Sequence, residues 1–170
     1  HPQRYRDMTL KELSDEMHAA MGQLNLTNLL HQACDVDPDP VLTPAQTYQK
    51  LIRNGTEKVR ISEMAGRVAG VMLVPYPPGI PVRMPGERLG DADSPIIRLL
   101  LALEKFGKQF PGFEREVHGI ELGADGEYWM RSVIESAAPT NGRKAASPAR
   151  NTKRRAKKPA TPATDPKGTS

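Results

Sequence analysis

Between Val74 and Glu87 the chain places five prolines and two glycines in fourteen residues, in the order Val-Pro-Tyr-Pro-Pro-Gly-Ile-Pro-Val-Arg-Met-Pro-Gly-Glu. Proline fixes φ and has no backbone N–H to donate, so the segment is excluded from helix interiors and from the middle of a sheet. Its composition predicts a stiff, extended ribbon. The ribbon follows Arg67 to Val74, an apolar run whose valines predict a buried strand. Rigid loops on a packed scaffold are where chains present groups to ligands and partners.

Upstream of the ribbon the pattern is helical. Thr9 with Glu12 three residues on is a capping box, in which each side chain accepts from an orphan amide of the other residue. Leu10, Leu13, Met17, Met21 and Leu24 then recur at three- and four-residue spacing, a stripe expected in the core, and Leu26, Leu29 and Leu30 extend it. The prolines of Asp35–Pro40 end it. Thr43, Pro44 and Gln46 start a second helix, with Tyr48, Leu51 and Ile52 as its apolar face and Gly55 as a left-handed stop. Lys58 to Ile61 alternates as a half-buried strand does, and Ala65-Gly66 reads as a turn.

Downstream, Asp93 or Ser94 caps a helix that opens at Pro95 and points Ile97, Leu100, Leu101, Leu103 and Phe106 inward. Phe110-Pro111-Gly112-Phe113 is a turn with two aromatics to plug a core. Val117–Leu122 and Glu127–Ile134 flank Gly123-Ala124-Asp125-Gly126, a hairpin signal. These elements predict an α+β fold: a helix-first unit of packed helices with a small mixed or antiparallel sheet, followed by a disordered basic tail. The expected division is residues 1–40 for the first helix and linker, 41–136 for the α+β core, and 137–170 for the tail.

The tail is defined by charge. After Glu135 there are nine basic residues and one acid, Asp165, whereas the preceding part carries fifteen basic and nineteen acidic residues. The sequence pI of about 9.3 therefore describes a tail on a mildly acidic domain. Large apolar residues are absent from 137–170, so the segment lacks the burial that offsets ordering entropy. Its run from Lys153 to Lys158 attracts phosphates without regard to sequence, but it holds no aromatic for base stacking, which weighs against a nucleic-acid role.

Known active-site patterns are missing. No Gly-rich phosphate loop, HExxH, paired CxxC or GxSxG occurs. The four histidines stand at 1, 18, 31 and 118; His18 and His31 are too far apart along a helix to share a metal, and no metal site is expected. His118 is read as a strand histidine before it is read as an acid–base group. Cys34 has no neighbour to lower its pKa and is read as packing. Glu87 is read two ways, as a carboxylate offered to a cation or as a cap on local amides. Tyr76 gates a channel or packs between prolines, and Trp129 is a hairpin-core or interface aromatic. One cysteine, the lack of an apolar run near the ~20 residues that span a bilayer, and no signal pattern suggest a cytoplasmic protein.

The segments Pro75–Pro81 (PYPPGIP) and Met84–Glu87 (MPGE), together with FPGFEREVHG at 110–119, Arg67-Val68 and, more loosely, TLKELSDEMH at 9–18, resemble the C-terminal domain of the large bacterial ornithine/lysine/arginine decarboxylases. The resemblance covers roughly residues 5 to 135. It implies a pyridoxal-5′-phosphate enzyme that decarboxylates a basic amino acid, serves polyamine formation and acid resistance, and works as a homo-oligomer. The family's Ser-x-His-Lys cofactor motif is absent here, and no lysine follows a histidine. The chain begins at His1, so the expectation is a fragment whose cofactor domain lies upstream in the same polypeptide. No catalytic or cofactor-binding residue is assigned within it. The resemblance instead marks Pro75, Tyr76, Pro77, Pro78, Gly79, Pro81, Pro85, Gly86 and Glu87 as a loop near the active-site entrance or interface. It marks Phe110, Pro111, Gly112, Phe113, Glu114, His118 and Gly119 as a family turn. The alternatives are a stand-alone interaction module and a nucleic-acid-associated protein acting through the tail.

Overall fold

The computed structural model describes residues 1–113 and 116–135. The expected tail, 137–170, and Glu114 lie outside the described residues. Those described fall in one compact unit, His1–Ser136. In chain order the elements are α1 (Pro2–Tyr5), α2 (Leu10–Gln23), α3 (Leu26–Cys34), α4 (Pro44–Ile52), β1 (Thr56–Arg60), β2 (Val74–Pro75), α5 (Pro95–Gln109), β3 (Val117–His118), β4 (Ile120–Leu122) and β5 (Tyr128–Val133). The fold is α+β.

Both capping boxes are formed. Glu12 accepts from the Thr9 amide at 2.8 Å while its own amide donates to Thr9 Oγ1 at 3.2 Å. Gln46 and Thr43 do the same at 2.9 and 3.2 Å. The continuous stripe expected from Leu10 to Leu30 is divided, because Asn25 takes a left-handed conformation, φ 53°, and starts α3 in a new direction. Asparagine tolerates that region through its short polar side chain. Leu13 is buried, but Leu10, expected in the core, is 87% exposed at the first helical position.

In α4 the expected apolar face is also displaced. Tyr48 and Ile52 are exposed, and the fully buried residue is Thr47, whose hydroxyl donates to the Thr43 carbonyl at 3.1 Å. The left-handed stop after α4 is Asn54, φ 56°, rather than Gly55. Gly55 serves close approach instead, since a Cβ there meets the Lys50 carbonyl at 3.1 Å. Ser94 caps α5 by position only; its hydroxyl donates to the Leu89 carbonyl at 2.6 Å.

The sheets are antiparallel. β5 lies between β1 and β4, with Val59 opposite Met130 and Ile120 opposite Met130 on the other side. β2 pairs with β3. The strand expected from Arg67 to Val74 is buried but interrupted. Val68 and Ala69 pair with Arg88 and Ser132 as single bridges, and Gly70 crosses the Arg131 backbone where a side chain has no room. The core is the inner face of β1 and β5 (Val59, Met130), the connector residues Ile61, Met64 and Leu73, and the inward side of α5, where Ile96, Leu100 and Phe106 are fully buried. α3 packs on α5 through Leu26, Leu29 and Ala33, closing the other side.

Candidate functional site

The ribbon is a loop that leaves the core and returns to it. At its base Leu73 donates to the Arg83 carbonyl and Val82 donates back to the Leu73 carbonyl, both at 2.9 Å. Its apex is a turn closed by the Gly79 amide on the Pro75 carbonyl at 2.9 Å, with cis peptide bonds at Tyr76–Pro77 and Pro77–Pro78. The expected extended shape is therefore replaced by a folded apex, because the glycine takes φ 80° and reverses the chain. Pro75 is buried in β2, whereas Tyr76 (49%), Pro77, Pro78 and Ile80 are exposed. The Tyr76 ring lies over Gly79, where a Cβ meets the ring edge at 3.0 Å.

Residues 82–88 are held differently. Arg83 is 4% exposed, and its guanidinium donates only to backbone carbonyls: Val82 at 3.0 Å, Arg88 at 3.1 Å, Asp37 at 3.3 Å and Val36 at 3.4 Å. Burial pushes its pKa down, while the Glu87 and Asp39 charges oppose that. The five donors of a guanidinium suit several acceptors in one plane. Gly86 receives the Val41 and Leu42 amides on its carbonyl at 2.9 and 3.0 Å and takes φ 94°. Pro40 bridges Glu87, and the Arg88 amide donates to Asp39. The Asp35–Pro40 linker is thus zipped to the ribbon's return limb. Glu87, read two ways from sequence, accepts from the Met84 amide at 2.9 Å and so caps its own turn. Pro85 lines the shallow recess between this turn and Pro40–Gln46, and Pro81 is exposed beside the apex.

The ribbon and the second family segment meet. Val74 pairs with His118, Pro75 with Val117, and the Tyr76 amide donates to the Glu116 carbonyl at 2.9 Å. Gly119, φ 91°, lets that strand press on the Met72 carbonyl, where a Cβ has no space. His118 is exposed on β3. The other end of the segment joins the N-terminus. Pro111 accepts from the Tyr5 hydroxyl at 2.9 Å, Gly112 turns at φ 93°, and Phe113 stands edge-on to Tyr5 at 5.6 Å. Phe110 is fully buried against Phe106, so one of the two aromatics fills the core and the other is half-exposed. Trp129 is half-buried on the outer sheet face with Arg60 and Lys58 over its ring at 5.0 and 5.7 Å.

Beside the apex is an apolar groove of about 120 Å³. Met21 of α2, Leu26, Thr27 and Leu30 of α3, and Leu99 and Leu103 of α5 form its walls; Pro75, Tyr76 and Pro77 form one side and Glu116 stands at the rim. It does not fit pyridoxal phosphate. The groove is below the ~300 Å³ at which cofactor-sized pockets begin, and no cation lines it to take a phosphate. Among the described residues no group of three His, Cys, Asp or Glu side chains is placed to hold a metal, and no helix is long and apolar enough to cross a membrane. The buried residue that sequence reasoning missed is Arg83, which holds the loop's base and for which sequence offers no signal beyond a basic residue inside an apolar loop.

Comparison with known proteins places the chain. The family model described as Orn/Lys/Arg decarboxylase, C-terminal domain, matches residues 27–134. The inducible lysine decarboxylase of Escherichia coli (strain K12) is 37% identical over 136 residues, 80% of this chain and 19% of that protein. A lysine decarboxylase of Pseudomonas aeruginosa is 42% identical over 118 residues, 69% of this chain and 16% of that protein. The crystal structure of the Francisella novicida lysine decarboxylase superposes with a TM-score of 0.71 at 39% identity, covering 78% of this chain and 18% of that one. The chain spans less than a fifth of the length of these relatives. With the ribbon and the 110–119 segment meeting in space as they do, and with this match over most of its described length, the chain belongs to the Orn/Lys/Arg decarboxylase C-terminal domain family.

Proposed function

We propose that this chain is the C-terminal part of a pyridoxal-5′-phosphate-dependent decarboxylase acting on lysine, arginine or ornithine. The cofactor supplies the electron sink for loss of the carboxylate, and its lysine belongs to a preceding domain of the same polypeptide. The observation that carries this reading is the union of two sequence-distant segments, 74–76 and 116–118, in one strand pair beside an exposed apex. That geometry suits a wall rather than a reaction centre. Tyr76, Pro77, Pro78 and Ile80 are presented outward on a loop whose base is fixed, as an entrance or interface element must be.

In this reading residues 1–40 supply the first helices and linker, 41–136 the α+β core, and 137–170 an appended basic tail. The enzyme is a cytoplasmic homo-oligomer whose product is a diamine or polyamine precursor. Each turnover consumes a proton, which links the activity to acid resistance. Lysine is the first substrate to try, since the Pseudomonas aeruginosa relative at 42% identity is a lysine decarboxylase, with arginine and ornithine next because decarboxylases of both also match, at 36% and 37%.

The test is CO2 release by the polypeptide encoded by the full reading frame, given each of the three amino acids in turn, with cofactor absorbance followed in the same cuvette. Release from one of them, with residues 1–170 alone binding no cofactor, is the expected result. Stoichiometric cofactor on residues 1–170 alone, or no release from any of the three, overturns the proposal.

A further inference from the structure

The segment 137–170 is the part of the chain that neither the fold nor the proposed activity employs. It holds nine basic residues against the single acid Asp165, and five of the six residues from Lys153 to Lys158 are cations. The folded domain offers little counter-charge for them. Many of its carboxylates already have cations of their own: Glu57 has Arg67, Glu104 has Lys108, Glu121 has Lys58, Glu127 has Arg60 and Glu135 has Arg88. Glu12 and Glu87 accept backbone amides. Asp35, Asp37 and Asp39 are exposed, but Asp39 faces Arg88 at 3.8 Å, and three carboxylates do not balance nine cations. A segment charged in this way calls for a polyanion from outside the chain.

The residue types missing from the segment select among polyanions. It contains no Phe, Tyr, Trp or His, so unpaired bases find nothing to stack on, and a single strand is disfavoured. The same absence does not weigh against a duplex, whose bases already stack on one another. It contains no Leu, Ile, Val, Met or Cys, so it meets a bilayer with charge alone, without the apolar or acylated second signal that stable anchoring takes. Spacing also favours the duplex. Laid along a backbone at ~3.3 Å per residue, the run Lys153–Lys158 covers ~20 Å. Over that length a duplex carries about a dozen phosphates, one per ~1.7 Å. We infer that 137–170 binds the phosphate backbone of double-stranded nucleic acid without reading its sequence, with the five cations of 153–158 as the principal contacts. The inference stands apart from the decarboxylase reading, since these residues lie outside the matched family region, 27–134.

The experiment follows the fluorescence anisotropy of a labelled DNA duplex as the full-length polypeptide is added, at rising salt. Equal binding to two unrelated sequences is expected. With five phosphates neutralised, log K falls against log salt with a slope of about −4.5, or about five-hundred-fold between 50 and 200 mM. Replacing the five cations together (Lys153→Gln, Arg154→Gln, Arg155→Gln, Lys157→Gln and Lys158→Gln) should flatten that slope and weaken binding by about tenfold or more. These positions lie outside the compact unit His1–Ser136, so an unchanged thermal midpoint serves as the folding control. Absent binding, a slope near zero, or a variant that binds as well as its parent overturns the inference. Tighter binding to a single strand of the same length overturns it in favour of unpaired nucleic acid. Tighter binding to vesicles of phosphatidylserine and phosphatidylcholine overturns it in favour of a lipid surface.

Discussion

The apex and the base of the proline ribbon each turn at a Pro-Gly pair whose glycine has a positive φ, Pro78-Gly79 and Pro85-Gly86, and have opposite mechanical roles. Pro75–Ile80 is tied by one turn hydrogen bond and a short strand pair, and shows its rings to solvent. Val82–Arg88 is tied by a buried guanidinium, two amides on the Gly86 carbonyl and the Pro40–Glu87 bridge. A Pro-Gly turn alone does not distinguish a presented surface from a structural seam. What distinguishes them is where the backbone donors and acceptors find partners.

The largest test of that contrast is at the glycines. Gly86→Ala forces a Cβ against the Leu42 carbonyl and to within 2.7 Å of Thr47 Oγ1, at φ 94°. It is expected to cost about 3 kcal/mol, read as a lowered urea-denaturation midpoint. Gly79→Ala shares the positive φ but meets only the movable edge of the Tyr76 ring, and costs about 1 kcal/mol. Equal losses at the two sites would erase the distinction. Arg83→Met leaves buried carbonyls without their donor and is expected to lose about 2 kcal/mol in the same assay. Arg83→Lys recovers only part of it, since an ammonium does not reach four carbonyls. Tyr76→Ala, at a half-exposed ring, changes stability by about 0.5 kcal/mol or less. An effect as large as that of Arg83→Met would place the apex in the scaffold.

The smallest effect is titratable. α2, which lends Met21 to the groove, is capped by Glu12, whereas α4, which lends Thr47 to the base, is capped by Gln46. Hydrogen bonds from the Thr9 amide and hydroxyl hold the Glu12 carboxyl below its ordinary value. A depressed folded pKa contributes stability that is present above the unfolded value of 4.5 and lost as pH falls through the folded one. Lowering pH below 4.5 should therefore reduce the protection of amides in the first turn of α2, relative to their intrinsic exchange rate at each pH, and leave that of the first turn of α4 unchanged. Glu12→Gln removes the difference, and amide exchange followed by NMR checks it.

Much of this arrangement is legible in the residues. The Thr9/Glu12 and Thr43/Gln46 boxes, the α5 stripe and the Gly123–Gly126 hairpin are local signals, and each forms where its spacing says. The departures arise where tertiary partners decide. Asn25 breaks a stripe whose leucines run on unbroken, and an asparagine amid them is a faint sign of the left-handed residue. Thr47 is buried ahead of Tyr48 because the Gly86 backbone needs a small neighbour, which no helical periodicity records. The apex could be named from its family segments, but its folding back could not, since that depends on the return pairing of Leu73 with Arg83. Arg83 itself answers to carbonyls, and carbonyls leave no trace in a one-letter string.

One consequence of that carbonyl-fed arginine concerns ionic strength. Surface pairs such as Lys58–Glu121 and Arg60–Asp125 face water and weaken as dissolved ions gather round them. The contacts of Arg83 are sealed from solvent and made to neutral dipoles, so mobile ions have little to screen. In concentrated salt the outer sheet face would lose its lattice of charges while the seam between linker and ribbon kept its grip, and Tyr76 would still be presented at the apex.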